Sequence, residues 1–91
     1  MEGRVVYRLI YEEGFKRDLK ALASAIRPLL KRRLEWLAEN AQIVGHVPML
    51  DPRFEGLYRL RVGNYRVLYR LDHRLATIYV VGVGHRRDVY S

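Results

Sequence analysis

The sequence predicts a small α+β domain in which a helical hairpin packs on one face of an antiparallel-rich sheet, in the order β-α-α-β-β-β. The chain opens with a segment rich in β-branched and aromatic residues, and two segments with helical periodicity follow it. The C-terminal third contains a hairpin with a two-residue turn signal. With 91 residues, 49% of them hydrophobic, the chain can form one domain, 1–91, around one modest core.

The predicted first elements are one strand and two helices. The strand is RVVYRLIY, residues 4–11. In EEGFKRDLKALASAI, residues 12–26, apolar side chains recur at spacings of four, three and four, which predicts a helix with one buried face. Pro28 suits the first turn of a second helix, because its missing N–H costs nothing there. The two apolar faces comprise Phe15, Leu19, Leu22 and Ile26 in the first helix and Leu30, Leu34, Leu37 and Ala41 in the second.

Three strands and a loop complete the predicted fold. GHVPMLDPRFEG, residues 45–56, contains two prolines and two glycines, which predicts a loop. LYRLRV and YRVLYRL are separated by Gly63-Asn64, and a glycine in the first position suits a type II′ turn. The last strand, LATIYVVGV, is apolar on both faces, so we expect it to be central in the sheet.

The two-residue turn fixes which residues of the hairpin oppose one another. The apolar and aromatic face, which we expect to meet the helices, comprises Tyr58, Leu60, Val62, Tyr65, Val67 and Tyr69. The opposite face, called the arginine face below, carries Arg59, Arg61, Arg66 and Arg70 and no acidic residue. Arg61 lies directly opposite Arg66, and repulsion between the two like charges lowers the stability of the fold by a few tenths of a kcal/mol up to about 1 kcal/mol. We interpret the arginine face as a phosphate site, because guanidinium groups bind phosphate oxygens bidentately; a solvated outer face is the alternative.

The charge and composition of the chain limit the partners and the chemistry that the protein can have. Residues 57–91 carry seven arginines and two aspartates, so most of the net charge of +7 lies there. Nucleic acid is the first candidate partner and an acidic protein the second. The absence of cysteine excludes disulfides, thiol catalysis and cysteine-bound zinc. No apolar run approaches the roughly 18 residues that span a bilayer, so a cytoplasmic protein is expected, and abundant arginine is compatible with a thermophilic source.

The C-terminal tail adds a second group of candidate residues. GHRRDVYS contains His85, Arg86, Arg87 and Tyr90. As the tail leaves the last strand, we expect it to return beside the arginine face and to bring His85 there. Histidine is the side chain most suited to proton transfer near neutral pH, so His85 is a candidate acid–base group. We assign no role to His46 in the predicted loop or to His73 in a predicted turn, and the three histidines lack the spacing of metal ligands.

Three segments resemble the RelE/ParE superfamily of bacterial and archaeal toxins, and within it the RelE-type ribosome-dependent mRNA endoribonucleases. FKRDLKAL is similar to the family's first helix, GLYRLRVGNYRVLYRL to its central hairpin, and VGVGHRRDVY to its last strand and tail. The resemblance implies a RelE/ParE-like fold and the toxin of a type II toxin–antitoxin system. It also implies cleavage of mRNA in the ribosomal A site by attack of a ribose 2′-hydroxyl on the adjacent phosphate, without a metal or another cofactor.

The resemblance implies roles for individual residues. Those it assigns to catalysis are Arg59, Arg61, Arg66, His85, Arg86 and Tyr90. Arg70 of the arginine face and Arg87 of the tail are expected to bind RNA. Arg59 and Arg61 stand where the RelE type has two lysines. Because arginine keeps its proton in proteins, they can hold phosphate but cannot act as the base. Proton transfer then falls to His85, which resembles the histidine of YoeB-like and YafQ-like relatives, or to Tyr90.

Two alternative functions share the implied fold. A ParE-like protein would inhibit DNA gyrase by contact, without chemistry, but such proteins generally lack the basic and histidine residues that the tail GHRRDVY contains. A catalytically inactive member would bind only an antitoxin or RNA. All three functions imply a cognate antitoxin as partner and no membrane, whereas mRNA and the ribosomal A site are the partners of the endoribonuclease.

Overall fold

The computed structural model describes residues 5–85, which form five strands and two α-helices. The strands are β1 Arg8–Tyr11, β2 Val47–Pro48, β3 Tyr58–Val62, β4 Tyr65–Asp72 and β5 Thr77–His85, and the helices are α1 Glu13–Lys20 and α2 Arg27–Asn40. The strand order in the sheet is β1-β5-β4-β3-β2, with β1 parallel to β5 and the other neighbours antiparallel. The predicted α+β fold, with a helical hairpin on an antiparallel-rich sheet, is confirmed.

The two helices differ from the prediction mainly at their junction. α1 ends at Lys20, and a short 3₁₀ turn, Ser24–Ile26, precedes α2. Pro28 lies in the first turn of α2, and because it has no N–H to offer the carbonyl four residues earlier, a single continuous helix is disfavoured there. Leu22 and Ile26 still pack against the core from this junction. Within residues 5–85, neither helix is long and apolar enough to cross a membrane.

The core lies between the helices and one face of the sheet, called the inner face below. Both predicted apolar faces contribute to it: Leu30, Leu34 and Leu37 of α2 are each about 1% exposed, and Phe15 of α1 is buried. All six predicted inner residues of the hairpin belong to the same core or pack against it. β5 lies between β1 and β4, so its apolar composition on both faces reflects a strand inside the sheet.

The hairpin turn has the predicted geometry. β3 pairs with β4 in the predicted register, from Tyr58 opposite Tyr69 to Val62 opposite Tyr65. Gly63 has φ of +58°, and Asn64 is not among the residues with positive φ. A positive φ at the first central position only is the signature of a type II′ turn, whose twist matches that of the strands.

The predicted loop, residues 45–56, contains a strand, so this prediction is wrong in part. β2 pairs with β3 through Val47 opposite Arg59 and Pro48 opposite Tyr58. An edge strand tolerates a proline, because one side of the strand needs no hydrogen-bond donor. A two-residue strand is also too short to show the alternation from which strands are predicted.

Beyond the end of β1, α1 and the residue before it pack along the edge of β5. The backbone N–H of Glu12 donates to the carbonyl of Val80 at 3.0 Å, and Asp18 Oδ2 accepts from the backbone N–H of Val83 at 3.1 Å. Gly14 permits this close approach, because a Cβ there would lie 3.0 Å from the carbonyl oxygen of Val81. α1 therefore fixes the second half of β5, the part of the strand that ends at His85.

Candidate functional site

The arginines of the hairpin lie in a row on the outer face of the sheet. Arg61 is directly opposite Arg66, and Arg59 is opposite Leu68. Because alternate residues of a strand point to opposite faces, these side chains all point away from the helices. Arg59, Arg61 and Arg66, called the arginine row below, are thus neighbours, as the turn predicts.

The three arginines of the row differ in exposure. Arg59 and Arg61 are exposed, whereas Arg66 is only 6% exposed and its Nη1 donates to the carbonyl of Tyr65 at 3.2 Å. On β5, Arg66 lies opposite Gly84, which brings no side chain into the space beside the guanidinium. Arg66 therefore has a fixed position, and Arg59 and Arg61 can adjust to a bound group.

Arg70 does have an acidic neighbour, so the prediction of an arginine face without acid is wrong for this residue. Its Nη2 lies 2.6 Å from Glu12 Oε2, and its guanidinium lies 5.7 Å from the centre of the Tyr79 ring. Both partners of the ion pair are partly exposed, so it adds little stability. The pair neutralises the charge of Arg70, whereas Arg59 and Arg61 form no ion pair within residues 5–85.

The expectation that His85 lies beside the arginines is wrong for its side chain. His85 is opposite Tyr65, and the two ring centres are 5.5 Å apart in an edge-to-face contact on the inner face. The cause is a bulge in β5: Tyr69 pairs with Val80 but Leu68 pairs with Gly82, so Val81 is an extra residue. One extra residue moves every later side chain of the strand to the other face.

The remaining predicted site residues belong to the tail. Arg86, Arg87 and Tyr90 lie outside the described residues, 5–85. Within that range, no group of three or more histidine, aspartate or glutamate residues could hold a metal ion.

A cluster of histidines and tyrosines on the inner face was missed by the sequence analysis. His46 Nε2 lies 2.9 Å from the carbonyl of Ala41, and His46 Nδ1 lies 2.6 Å from the hydroxyl of Tyr69. A carbonyl can only accept, so Nε2 carries the proton and Nδ1 accepts from the Tyr69 hydroxyl. The His73 ring lies 5.9 Å from that of His46, and His73 Nδ1 lies 2.7 Å from the Tyr7 hydroxyl.

The cluster holds the chain after α2 against the sheet and is not poised for acid–base chemistry. Burial, and secondly the neighbouring Tyr58, raise the pKa of Tyr69 well above its ordinary value. Its hydroxyl therefore remains protonated at neutral pH and acts as a donor to His46. Sequence signals for this contact are weak, because His46 and Tyr69 are 23 residues apart.

We expect a Tyr69→Phe substitution to lower the free energy of unfolding near neutral pH by about 1 kcal/mol, because the partly buried His46 Nδ1 would lose its donor. The raised pKa of Tyr69 means that the folded protein keeps this proton to a higher pH than the unfolded chain. Wild-type stability should therefore fall as pH rises above about 10, the ordinary tyrosine value, and fall less steeply in the variant.

Urea unfolding at neutral and alkaline pH would test this expectation, with Tyr79→Phe as the matched control. Tyr79 is only partly buried, and its ring lies near the guanidinium of Arg70. An equal loss of stability in both variants at neutral pH, or a steeper alkaline loss in Tyr69→Phe, would contradict the role given to this cluster.

Comparisons with known sequences agree with the resemblance. The family model described as "ParE toxin of type II toxin-antitoxin system, parDE" matches residues 9–90. The chain is 27% identical over 89 residues to the mRNA interferase toxin RelE of Escherichia coli, covering 96% of this chain and 93% of the relative. It is 43% identical over 35 residues to the toxin RelG of Mycobacterium tuberculosis, covering 38% of this chain and 40% of that relative.

Solved structures show the same fold. The toxin–antitoxin complex RelBE2 of Mycobacterium tuberculosis matches with a TM-score of 0.76 and 28% identity, over 97% of this chain and 100% of the other. The RelB–RelE antitoxin–toxin complex of Methanococcus jannaschii matches with a TM-score of 0.65 and 27% identity, over 89% and 94%. On the family match and the shared fold, the chain belongs to the RelE/ParE superfamily of type II toxin–antitoxin toxins and is RelE-like.

Proposed function

We propose that this protein is a ribosome-dependent endoribonuclease that cleaves mRNA in the ribosomal A site. The observation that carries the proposal is the arginine row. Arg61 and Arg66 oppose each other at a cost in stability, and within residues 5–85 neither Arg59 nor Arg61 forms an ion pair. A bound polyanion would offset that cost. The Escherichia coli relative that matches nearly the whole chain is itself named an mRNA interferase toxin.

The row can stabilise the transition state of RNA cleavage. Attack of the 2′-hydroxyl on the adjacent phosphate forms a bond to phosphorus and breaks the bond to the 5′-oxygen, leaving a cyclic phosphate and a free 5′-hydroxyl. The pentacoordinate phosphorus gains negative charge on its non-bridging oxygens. Arg59 and Arg61 would contact those oxygens, and the buried Arg66 would supply fixed positive charge beneath them.

Proton transfer needs groups other than these arginines. The attacking 2′-hydroxyl loses a proton and the departing 5′-oxygen gains one, whereas a guanidinium keeps its protons at any working pH. We propose that Tyr90 of the tail supplies the acid–base group, because the side chain of His85 lies on the inner face, away from the arginine row. The guanidinium groups would provide the charge stabilisation for which many nucleases use a metal ion.

We propose that the ribosome is required because the chain offers few acid–base groups and the ribosome can align the 2′-hydroxyl with the scissile bond. The test is translation in vitro with purified protein, mapping mRNA ends by primer extension. Cuts at codons in the A site, absent from the same mRNA without ribosomes, are the expected result. Arrest without cuts, or trapping of DNA gyrase, would contradict the proposal and favour the ParE-like or inactive alternatives.

We propose a cognate antitoxin as the protein partner. Two of the structural relatives are toxin–antitoxin complexes, RelBE2 and RelB–RelE. A net charge of +7 suits a partner with an acidic segment. Co-expression with the gene product encoded next to this one, followed by purification of a stable complex, is the direct test.

We expect association with single-stranded RNA to weaken steeply with salt, because each phosphate that an arginine neutralises releases counterions. Three such contacts in the arginine row predict a log–log slope of affinity against salt of about −2. Arg59→Gln should reduce that slope by about 0.7, and Arg53→Gln should not, because Arg53 is already paired with Asp51 at 2.7 Å. An affinity that stays flat between low and high salt would place the arginines outside the interface.

A further inference from the structure

We propose that a nucleotide-binding pocket, in addition to the arginine row, lies between α2 and the tip of the hairpin. It would bind one nucleotide of the RNA strand that the arginine row holds. The inference rests on the proposed function only in taking RNA as the partner. The pocket, called the Trp36 pocket below, has a volume of about 480 Å³. Its walls include Leu29, Arg32, Arg33 and Trp36 of α2, and Arg61 and Gly63 of the hairpin.

The α2 wall is a helical stripe separate from the one that builds the core. Leu29, Arg33 and Trp36 recur at spacings that put them on one side of the helix, next to the core-facing leucines but outside the core. Leu29 is 45% exposed and Trp36 is 41% exposed. Two large apolar side chains facing solvent among arginines make no contribution to the core, so a binding role explains their position better than a folding role.

Arg33 and Trp36 form a planar surface suited to a nucleobase. The guanidinium carbon of Arg33 lies 4.4 Å from the centre of the Trp36 ring, so the cation rests on the indole. Aromatic rings and guanidinium planes are the groups on which unpaired bases stack, with little dependence on sequence. The stacked pair provides such a surface at the mouth of a cavity large enough for one base.

The charge around the pocket suits the phosphates on either side of that base. Within residues 5–85, Arg32, Arg33 and Arg61 form no ion pair. Glu35 of α2 lies beside Tyr11, whose pKa is raised by burial and secondly by that carboxylate. The other acidic residue of α2, Glu39, follows one turn after Trp36. The pocket therefore combines a stacking surface with arginines that form no ion pair within residues 5–85, Arg32 and Arg33 on α2 and Arg61 at the hairpin tip, and this combination suits a nucleotide.

Arg61 joins the pocket to the arginine row. It lies opposite Arg66 on the outer face and also lines the Trp36 pocket. One strand of RNA can thus run from the arginine row around the hairpin tip, with Arg61 between consecutive phosphates. The pocket would hold the base of a nucleotide next to those on the row, and this adds affinity without taking part in bond breaking.

The protein contains a single tryptophan, so its fluorescence reports on this pocket alone. The probe is a short 2′-O-methyl oligouridylate, which cannot be cleaved by 2′-hydroxyl attack. We expect it to quench Trp36 fluorescence saturably at low salt. An abasic oligonucleotide with the same number of phosphates, and a polyglutamate peptide, should each cause much less quenching. Equal quenching by either would overturn the inference, in favour of a general anion site or an acidic protein partner.

Paired variants locate the binding. Arg33→Gln should weaken binding of the labelled oligonucleotide, followed by anisotropy, by about 10-fold. Lys31→Gln removes the same charge on the other flank of α2, where Lys31 lines a separate apolar cavity, and should change binding by less than about 2-fold. The melting temperature of each variant shows that the fold is kept. An equal loss of oligonucleotide affinity in the two variants would contradict the proposal that the Trp36 pocket binds the base.

Measuring both cleavage and quenching distinguishes a failure of the pocket proposal from a failure of the proposed function. Arg59→Gln should slow cleavage yet leave the quenching of Trp36 by oligouridylate in place, because Arg59 does not line the pocket. If the wild-type protein cuts mRNA in the A site but shows no quenching, the pocket proposal is contradicted and the proposed function is supported. Quenching without any cleavage would keep the pocket and reject the function.

Discussion

An Arg61→Gln variant is expected to cleave mRNA in the A site about 100-fold more slowly than the wild type when ribosome complexes are saturated with toxin. Saturation removes the contribution of Arg61 to binding, including its part in the Trp36 pocket, so the remaining loss measures stabilisation of the transition state. Arg61 is the best residue for this test, because it is exposed on the outer face and directly opposite a second guanidinium.

The same substitution should leave the fold intact. Removing one of two opposed positive charges relieves repulsion, so we expect an unchanged melting temperature or a gain of a few tenths of a kcal/mol. Arg74→Gln, at an exposed position in the turn between β4 and β5, is the control for loss of one positive charge. Full activity of Arg61→Gln together with a clear loss of stability would show that Arg61 supports structure and not substrate.

Arg66→Gln should lose activity to a similar degree but behave differently in stability. The guanidinium of Arg66 is almost fully buried and donates to the carbonyl of Tyr65. Shortening the side chain leaves that partly buried carbonyl without this donor, so we expect a loss of about 1 kcal/mol in the free energy of unfolding where Arg61→Gln shows none. The contrast between two arginines that oppose each other comes from burial, because Arg66 is almost fully buried and Arg61 is exposed.

The parts of the fold that follow from local rules could be predicted from the sequence. The two-residue turn at Gly63 fixes the register of the hairpin, and alternation along each strand then places Arg61 opposite Arg66. The helical stripes follow from spacing in the same way, and Leu30, Leu34 and Leu37 are buried as their spacing indicates. Each of these predictions needs information from only a few neighbouring residues.

The contacts that could not be predicted join distant parts of the chain. Glu12 reaches Arg70 across 58 residues, and no local pattern links the two. The hydrogen bond between His46 and Tyr69 depends on where the chain after α2 meets the sheet, which tertiary packing decides. The burial of Arg66 does have a signal in the sequence: the alternate glycines of VGVGH leave the positions opposite Arg66 and Leu68 without side chains.

The placement of His85 shows how one residue can reverse a prediction. With uninterrupted alternation from Thr77, which lies opposite Asp72, His85 would point to the outer face and lie on the side of Arg66. The extra residue Val81 turns it inward against Tyr65. The side chains of residues 78–81 suit either face, so their pattern does not locate the bulge, and the one signal nearby is Gly82, because a glycine within a strand is common at bulges.

Tyr90→Phe is therefore expected to lower the single-turnover rate of A-site cleavage by about 100-fold, the usual scale for loss of a general acid or base. The arginines of the row cannot transfer a proton, and His85 points to the opposite face of the sheet, so Tyr90 is the remaining candidate that the resemblance supplies.

The matched variants are His85→Gln and Tyr79→Phe. We expect His85→Gln to slow cleavage by less than about 10-fold, because its ring packs on Tyr65 and serves to fix the end of β5. Tyr79→Phe removes a hydroxyl beside Arg70, away from the arginine row, and should cleave at the wild-type rate. All three variants should still bind ribosomes. A 100-fold loss in His85→Gln, with Tyr90→Phe nearly unaffected, would assign proton transfer to His85 and require β5 to pair differently in the complex with the ribosome.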